Sequence, residues 1–172
     1  MLPGEFQSKM GIGINVGNRI DLWDHDPREI KSSWFSDFKK KGFSNARIPV
    51  CWHERTGTTA PYTIDPTFLQ TVEDAVDASL DQGLVTILNT HHEKWLDVEA
   101  DFSAQLPRLL AIWRQLAERF KGKSDLLAFE IFNEPHNINV NQLNEMNTKV
   151  LAIIREGNPS RNVFINGLQY GE

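Results

Sequence analysis

Five short apolar runs recur along the chain, at residues 11–16, 46–50, 84–89, 126–132 and 163–166, each with too few polar positions for a strand that keeps one face in water. Runs of this kind suit strands buried on both faces, as in a parallel sheet covered by helices. Between them the apolar period changes. Phe68, Val72, Ala75, Val76 and Leu80 fall at helical spacing, as do Leu106, Leu109, Leu110, Trp113, Leu116, Ala117 and Phe120, so each segment carries one apolar stripe. Trp34 and Trp113 stand at apolar helix positions and are assigned to the core.

Local punctuation agrees with these periods. Asp65-Pro66 supplies an N-cap and a first-turn proline, Gly83 ends that helix, and Gly42 and Gly157 close the helices on either side. The reading is an α/β chain of about five parallel strands with four intervening helices, a single domain over residues 1–172. Longer irregular stretches, 52–64 and 93–100, follow strands, whereas helix-to-strand connections are short. Long loops at the carboxyl ends of strands are where such sheets build their sites.

Composition narrows the partners. The chain has 172 residues, of which 40% are hydrophobic and 24% charged, enough apolar surface for a substantial core. A formal net charge of −5, with Lys39-Lys40-Lys41 as the longest basic run, argues against nucleic acid. No stretch approaches the roughly 20 apolar residues of a bilayer-spanning helix, and Met1-Leu2-Pro3-Gly4 lacks the regions of a signal peptide. A membrane partner is not expected, and export would require a leader outside this chain. Cys51 is the only cysteine, so no intrachain disulfide or thiolate metal cluster can form, and it reads as a small buried hydrophobe.

The candidate chemistry lies where the strands stop. Phe132-Asn133-Glu134-Pro135 ends the fourth run and sets a carboxylate at its carboxyl end, a place for a general acid or base; the tetrapeptide alone suits an ordinary strand-ending turn equally well. Asn133 could hold a substrate hydroxyl while Glu134 moves a proton. Around them fall Asn15, Gly17, Asn18 and Asp21 after the first run, Arg47 and Trp52 at the second, His91, His92 and Trp95 after the third, and Gln169 and Tyr170 after the fifth. Hydrogen-bonding groups mixed with flat rings suit a sugar. Glu130 shares the side of Glu134 by period-two counting and is read as a buried ion pair with Arg47. Adjacent histidines in an extended segment point to opposite sides, and no third ligand has recognisable spacing, so His91-His92 is not read as a metal site.

Four motifs in order, Gly13-Ile14-Asn15-Val16-Gly17-Asn18, Arg47-Ile48-Pro49-Val50-Cys51-Trp52, Asn89-Thr90-His91-His92 and Phe129-Glu130-Ile131-Phe132-Asn133-Glu134-Pro135, resemble the first four strands of family 5 glycoside hydrolases of the cellulase or endoglucanase type. The resemblance covers the whole chain as the N-terminal part of such a catalytic domain. It implies a (β/α)8 barrel, a retaining mechanism on β-1,4-glucans (cellulose, carboxymethylcellulose, β-glucan), no cofactor or metal, and a secreted or extracellular setting. Glu134 then corresponds to the acid/base, with Arg47, His91, His92, Asn133 and Asn18 around the catalytic subsite; Trp52, from its own place at the second strand end, is expected to help hold the glucan.

The pattern also departs from that family. The chain ends at Gly171-Glu172 after the fifth run, before the family's sixth-strand His/Tyr segment, its nucleophilic Glu and its eighth-strand Trp. Asp21, Asp24, Glu93 and Glu172 match no nucleophile motif, and none is assigned that role. Five strands leave two open edges and apolar interior residues exposed to water, from which a homo-oligomer is expected. Two further readings stay open: a catalytically incomplete carbohydrate-binding or scaffold half-barrel, and a mannan-degrading homologue.

Overall fold

The computed structural model describes residues 1–22, 26–97 and 101–171. Its elements run α1 (Pro3–Met10), β1 (Gly13–Asn15), α2 (Ser33–Lys40), β2 (Asn45–Ile48), α3 (Pro66–Asp81), β3 (Val85–Asn89), α4 (Lys94–Asp97), α5 (Phe102–Arg119), β4 (Leu127–Glu130), α6 (Val140–Gly157) and β5 (Val163–Phe164), with a final 3-10 turn, Gln169–Gly171. The five strands form one all-parallel sheet in sequence order, β1-β2-β3-β4-β5. Each expected strand is present, shorter than its apolar run. Two helices were not expected from the periodicity: α1 ahead of the sheet, and the single turn α4 within the stretch at 93–100.

The three long helices, α3, α5 and α6, start where a side chain can accept their free backbone N–H groups. Asp65 accepts from Phe68 N at 2.7 Å ahead of α3, and Asp101 accepts from Ala104 N at 3.2 Å ahead of α5. At α6, Asn139 accepts from Asn141 N and Gln142 N, while Gln142 accepts from Asn139 N, a reciprocal capping box. Gly42 and Gly83, both at positive φ, follow α2 and α3 as expected. Gly157 does not act this way; it is the last residue of α6, and Asn158 caps the helix end.

Parallel register divides the sheet into two faces. On one, Ala46, Ile48, Leu88, Leu127 and Phe129 have no exposed surface and pack against Phe35, Val72, Val76, Ile112, Trp113, Leu116 and Ile154 of the helices. Burying each large apolar side chain contributes about 1.5–3 kcal/mol, so this layer is the principal source of stability. Trp113 lies in it as expected, whereas Trp34 is only half-buried and carries the Arg19 guanidinium 4.7 Å from its ring centre.

The inward face corrects a further expectation. Its apolar residues do not lie open to water: Phe6 of α1 covers Val85 and Ala128, with Met1, Met10, Leu126 and Phe164 around them, and Val85, Ala128 and Phe6 are 1%, 0% and 3% exposed. Asn45 fastens this lid by donating to the Met10 carbonyl. Above the apolar floor the same face turns polar. The pairings Asn15↔Arg47, Arg47↔Ile87 and Asn89↔Glu130 place Asn15, Arg47, Asn89 and Glu130 side by side near the carboxyl ends. The edges are open as expected among the described residues: β1 pairs with β2 alone and β5 with β4 alone.

Candidate active site

The polar layer is one hydrogen-bonded network centred on Glu130. Arg47 approaches its carboxylate side-on, with Nε 2.7 Å from Oε2 and Nη2 2.9 Å from Oε1. Asn89 Nδ2 donates to Oε2 at 3.3 Å and Asn166 Nδ2 to Oε1 at 2.7 Å. Each oxygen thus accepts two bonds and the carboxylate is saturated, which is how a charge becomes tolerable at 6% exposure. The expected Arg47–Glu130 pair is present, and Glu130 is occupied by it.

From this centre Arg47 reaches two more side chains. Its Nη1 donates to Asn15 Oδ1 at 3.0 Å and its Nη2 to Asn133 Oδ1 at 2.7 Å. A guanidinium only donates, so Oδ1 of Asn133 faces Arg47 and the amide Nδ2 lies on the other side, with no protein partner among the described residues. Asn133 N also donates to Thr90 O at 2.9 Å, carrying the β3–β4 pairing one step past the strand.

Glu134 follows at a break in backbone conformation. Its φ is +45°, a left-handed setting that disfavours any side chain with a Cβ, and it is exposed between the buried residues Asn133 and Pro135. Strain of this sort gathers at functional positions. His136 Nδ1 donates to the Glu134 carbonyl at 2.7 Å, and the His136 ring stacks on Tyr170 with centres 4.9 Å apart. Tyr170, 62% exposed, lines with His136, Ile138 and Leu168 a cavity of about 560 Å³ at this end of the sheet.

The two histidines correct the expectation that they diverge. Strand β3 ends at Asn89, and just beyond it the rings of His91 and His92 meet edge-on with centres 4.3 Å apart. Asn89 Oδ1 accepts from Val50 N at 3.2 Å, which fixes its amide so that Nδ2 donates to His91 Nδ1 at 3.2 Å. Burial, then the charges of His92 and Arg47, push the His91 pKa down to about 3 against an opposing effect of Asp21. His91 is therefore neutral, with its proton on Nε2.

Other expected residues fall elsewhere. Trp52 is not a sugar platform: it has no exposed surface, packs edge-on against Phe68 and donates Nε1–H to Asn89 O at 3.3 Å. The loop after β2 turns that ring into the core. Trp95 is likewise 1% exposed. Asn18, exposed at φ +59°, sits on a turn in which Asp21 accepts from Asn18 N at 3.0 Å and Arg19 N at 2.8 Å. Asp21 is thereby committed to backbone, and Glu93 is wholly buried with Oε1 accepting from Trp52 N at 2.6 Å. Asp24 and Glu172 lie outside the described residues. Cys51 is buried and its thiol donates to the His92 carbonyl. Sequence reasoning gave no role to Asn89 or Asn166; each stands at a strand end, the one signal that could have marked them.

The family described as Cellulase (glycosyl hydrolase family 5) matches residues 9–172. Endoglucanase H of Acetivibrio thermocellus is 46% identical over 171 residues, covering 96% of this chain and 18% of that protein. The crystal structure of endoglucanase Cel5A from Thermotoga maritima superposes with a TM-score of 0.92 at 32% identity, over 99% of this chain and 56% of that one. Structures of the same Thermotoga maritima protein with mannotriose and with cellobiose match equally, each with a TM-score of 0.91. The chain thus spans about half the length of the solved relatives and corresponds to part of a TIM barrel.

Proposed function

We propose that this chain, which belongs to the cellulases of glycosyl hydrolase family 5, carries the acid/base half of an endo-β-1,4-glucanase active site. The observation that supports this most directly is the strained, exposed Glu134 next to the Arg47–Asn133 bond at the carboxyl end of a buried parallel sheet. In this reading Glu134 protonates the glycosidic oxygen as the bond breaks, then removes a proton from the water that releases the sugar. Asn133 Nδ2 and the Nε2–H of neutral His91 donate to substrate hydroxyls; His92 and Asn18 border the same subsite. Holding His91 neutral keeps an unwanted positive charge away from a transition state that is itself oxocarbenium-like.

Retention needs a second carboxylate about 5–5.5 Å from the first. Among the described residues near the site, Asp21, Glu93 and Glu130 are each engaged in the bonds described above, and the reading assigns the nucleophile to a carboxylate supplied by a longer chain or by association of copies. Exposed Ile12 and Ile165, flanking the open edges β1 and β5, support self-association. A polymeric substrate cannot enter a cell, which supports an extracellular setting. The binding of both cellobiose and mannotriose by one relative supports a second reading in which mannan is also a substrate.

The test is the Glu134→Gln variant. It is expected to lose turnover of glucans and of aryl cellobiosides with poor leaving groups while keeping glycosylation by activated aryl cellobiosides. Full activity of the variant on soluble β-glucan would remove Glu134 from the mechanism. Should the wild-type chain turn over no substrate, calorimetric titration with cellotetraose decides whether the half-site holds sugar, and absence of binding would defeat the reading.

A further inference from the structure

We propose that Asn166, two residues beyond β5, is a positioning residue for the Asn133–Glu134 turn, acting through the Glu130 carboxylate and the Phe132 carbonyl. The inference rests on the functional reading above for its consequence, but its geometry stands independently. One amide nitrogen makes both contacts: Asn166 Nδ2 lies 2.7 Å from Glu130 Oε1 and 2.9 Å from Phe132 O. Both partners only accept, so both N–H bonds of the amide are committed and its orientation is fixed.

The two accepting groups sit on either side of what must be held. Glu130 carries Arg47, and Arg47 Nη2 holds Asn133 Oδ1 at 2.7 Å. Phe132 O belongs to the peptide that leads into Asn133. Asn166 therefore fixes the turn from its backbone and, through Glu130 and Arg47, from its side chain. The ladder cannot do this alone. Pairing of β4 with β5 ends at Glu130↔Phe164, with one further bond from Ile131 N to Phe164 O at 3.1 Å, so on the β5 side Asn166 carries the contact past the last ladder bond. Sequence position hides this role, because Asn166 and Glu130 are 36 residues apart and meet only through the register of β4 and β5.

A merely structural Asn166 would tie down the end of β5 and nothing more. The distinguishing readouts are the side-chain amide signals of Asn133 in ¹⁵N NMR and the affinity for cellotetraose, measured on the 172-residue chain. In Asn166→Ala the Asn133 amide signals are expected to shift or broaden, signals from α3 to stay in place, and cellotetraose affinity to fall by about fivefold, the loss of roughly one hydrogen bond's worth of alignment. Asn166→Asp, the same shape with no N–H and a second carboxylate against Glu130, is expected to do more. Asn166→Ser, which keeps one donor, serves if either variant fails to fold and is expected to fall between wild type and Ala. Unchanged Asn133 signals in the folded variants would overturn the proposal, whatever the effect on thermal stability. If wild type binds no cellotetraose, the functional reading fails by itself, and the Asn133 signals alone decide whether Asn166 positions the turn.

Discussion

Arg47 and Glu130 meet fork to fork across β2 and β4, Nε on one carboxylate oxygen at 2.7 Å and Nη2 on the other at 2.9 Å, with the carboxylate further held from β3 and from beyond β5. The pair stands over the apolar floor of the inward face, so removing one partner leaves the other charged in a place that water reaches poorly. Arg47→Ala is expected to cost about 3 kcal/mol by urea unfolding. Glu130→Gln should cost less, because a neutral amide can still accept from the guanidinium. Equal stability of Arg47→Ala and wild type would show that the pair contributes nothing.

Glu134 holds a left-handed backbone for a residue that does not favour it. Replacing it by Asn, which tolerates that region, should raise stability by about 1 kcal/mol. The same change shortens the side chain and removes the acid, so gain of stability and loss of any hydrolysis should come together. Thermal unfolding of Glu134→Asn that matches or falls below wild type would mean the turn is not strained.

His91 gives a pH dependence of stability whose sign is fixed by its lowered pKa. The unfolded chain takes up a proton at His91 near the ordinary value of 6.5, whereas the folded chain refuses it until about pH 3. Its contribution is thus complete above pH 6.5 and is lost as pH falls from there towards 3. Melting temperatures across that window should fall less steeply in His91→Gln than in wild type. The His91 ring signals in NMR should stay those of a neutral imidazole throughout the range in which an ordinary histidine titrates; a charged ring there would refute the assignment.

Phe6 is the centre of the lid that α1 places over Val85 and Ala128. Phe6→Ala should destabilise by about 3 kcal/mol, since the cavity left over a flat strand surface cannot readily collapse. It should also increase binding of a hydrophobic dye under native conditions. No change in either would mean the inward face is covered some other way.

The exposed side chains of Ile12 and Ile165, 70% and 52% accessible, stand next to the strands whose edges are unpaired among the described residues. Light scattering at micromolar concentration is expected to show a dimer or larger species. A lysine at either position, a substitution that natural edges use against pairing, should shift it towards monomer. A wild-type monomer would remove the edge-association proposal.

How much of this the sequence determined follows from the range of the forces involved. Strands buried on both faces must be apolar throughout, and a helix against them must show one stripe, so the order of strands and main helices could be read from side-chain pattern alone. The same logic set Glu134 at a strand end and paired Arg47 with Glu130, because a buried carboxylate needs a cation. Three matters lay beyond it. The lid depends on where α1 lands, and its one buried residue, Phe6, makes no periodic signal. The directions of Trp52, His91 and His92 depend on loop backbone angles, which local composition does not fix. The convergence of Asn15, Arg47, Asn89, Glu130 and Asn166 depends on strand register, and hydrogen bonds that close only within about 3 Å cannot be inferred until the register is set. Hydrophobic burial, summed over many residues, is written along the chain; directional polar contact between distant residues is decided only when the sheet has formed.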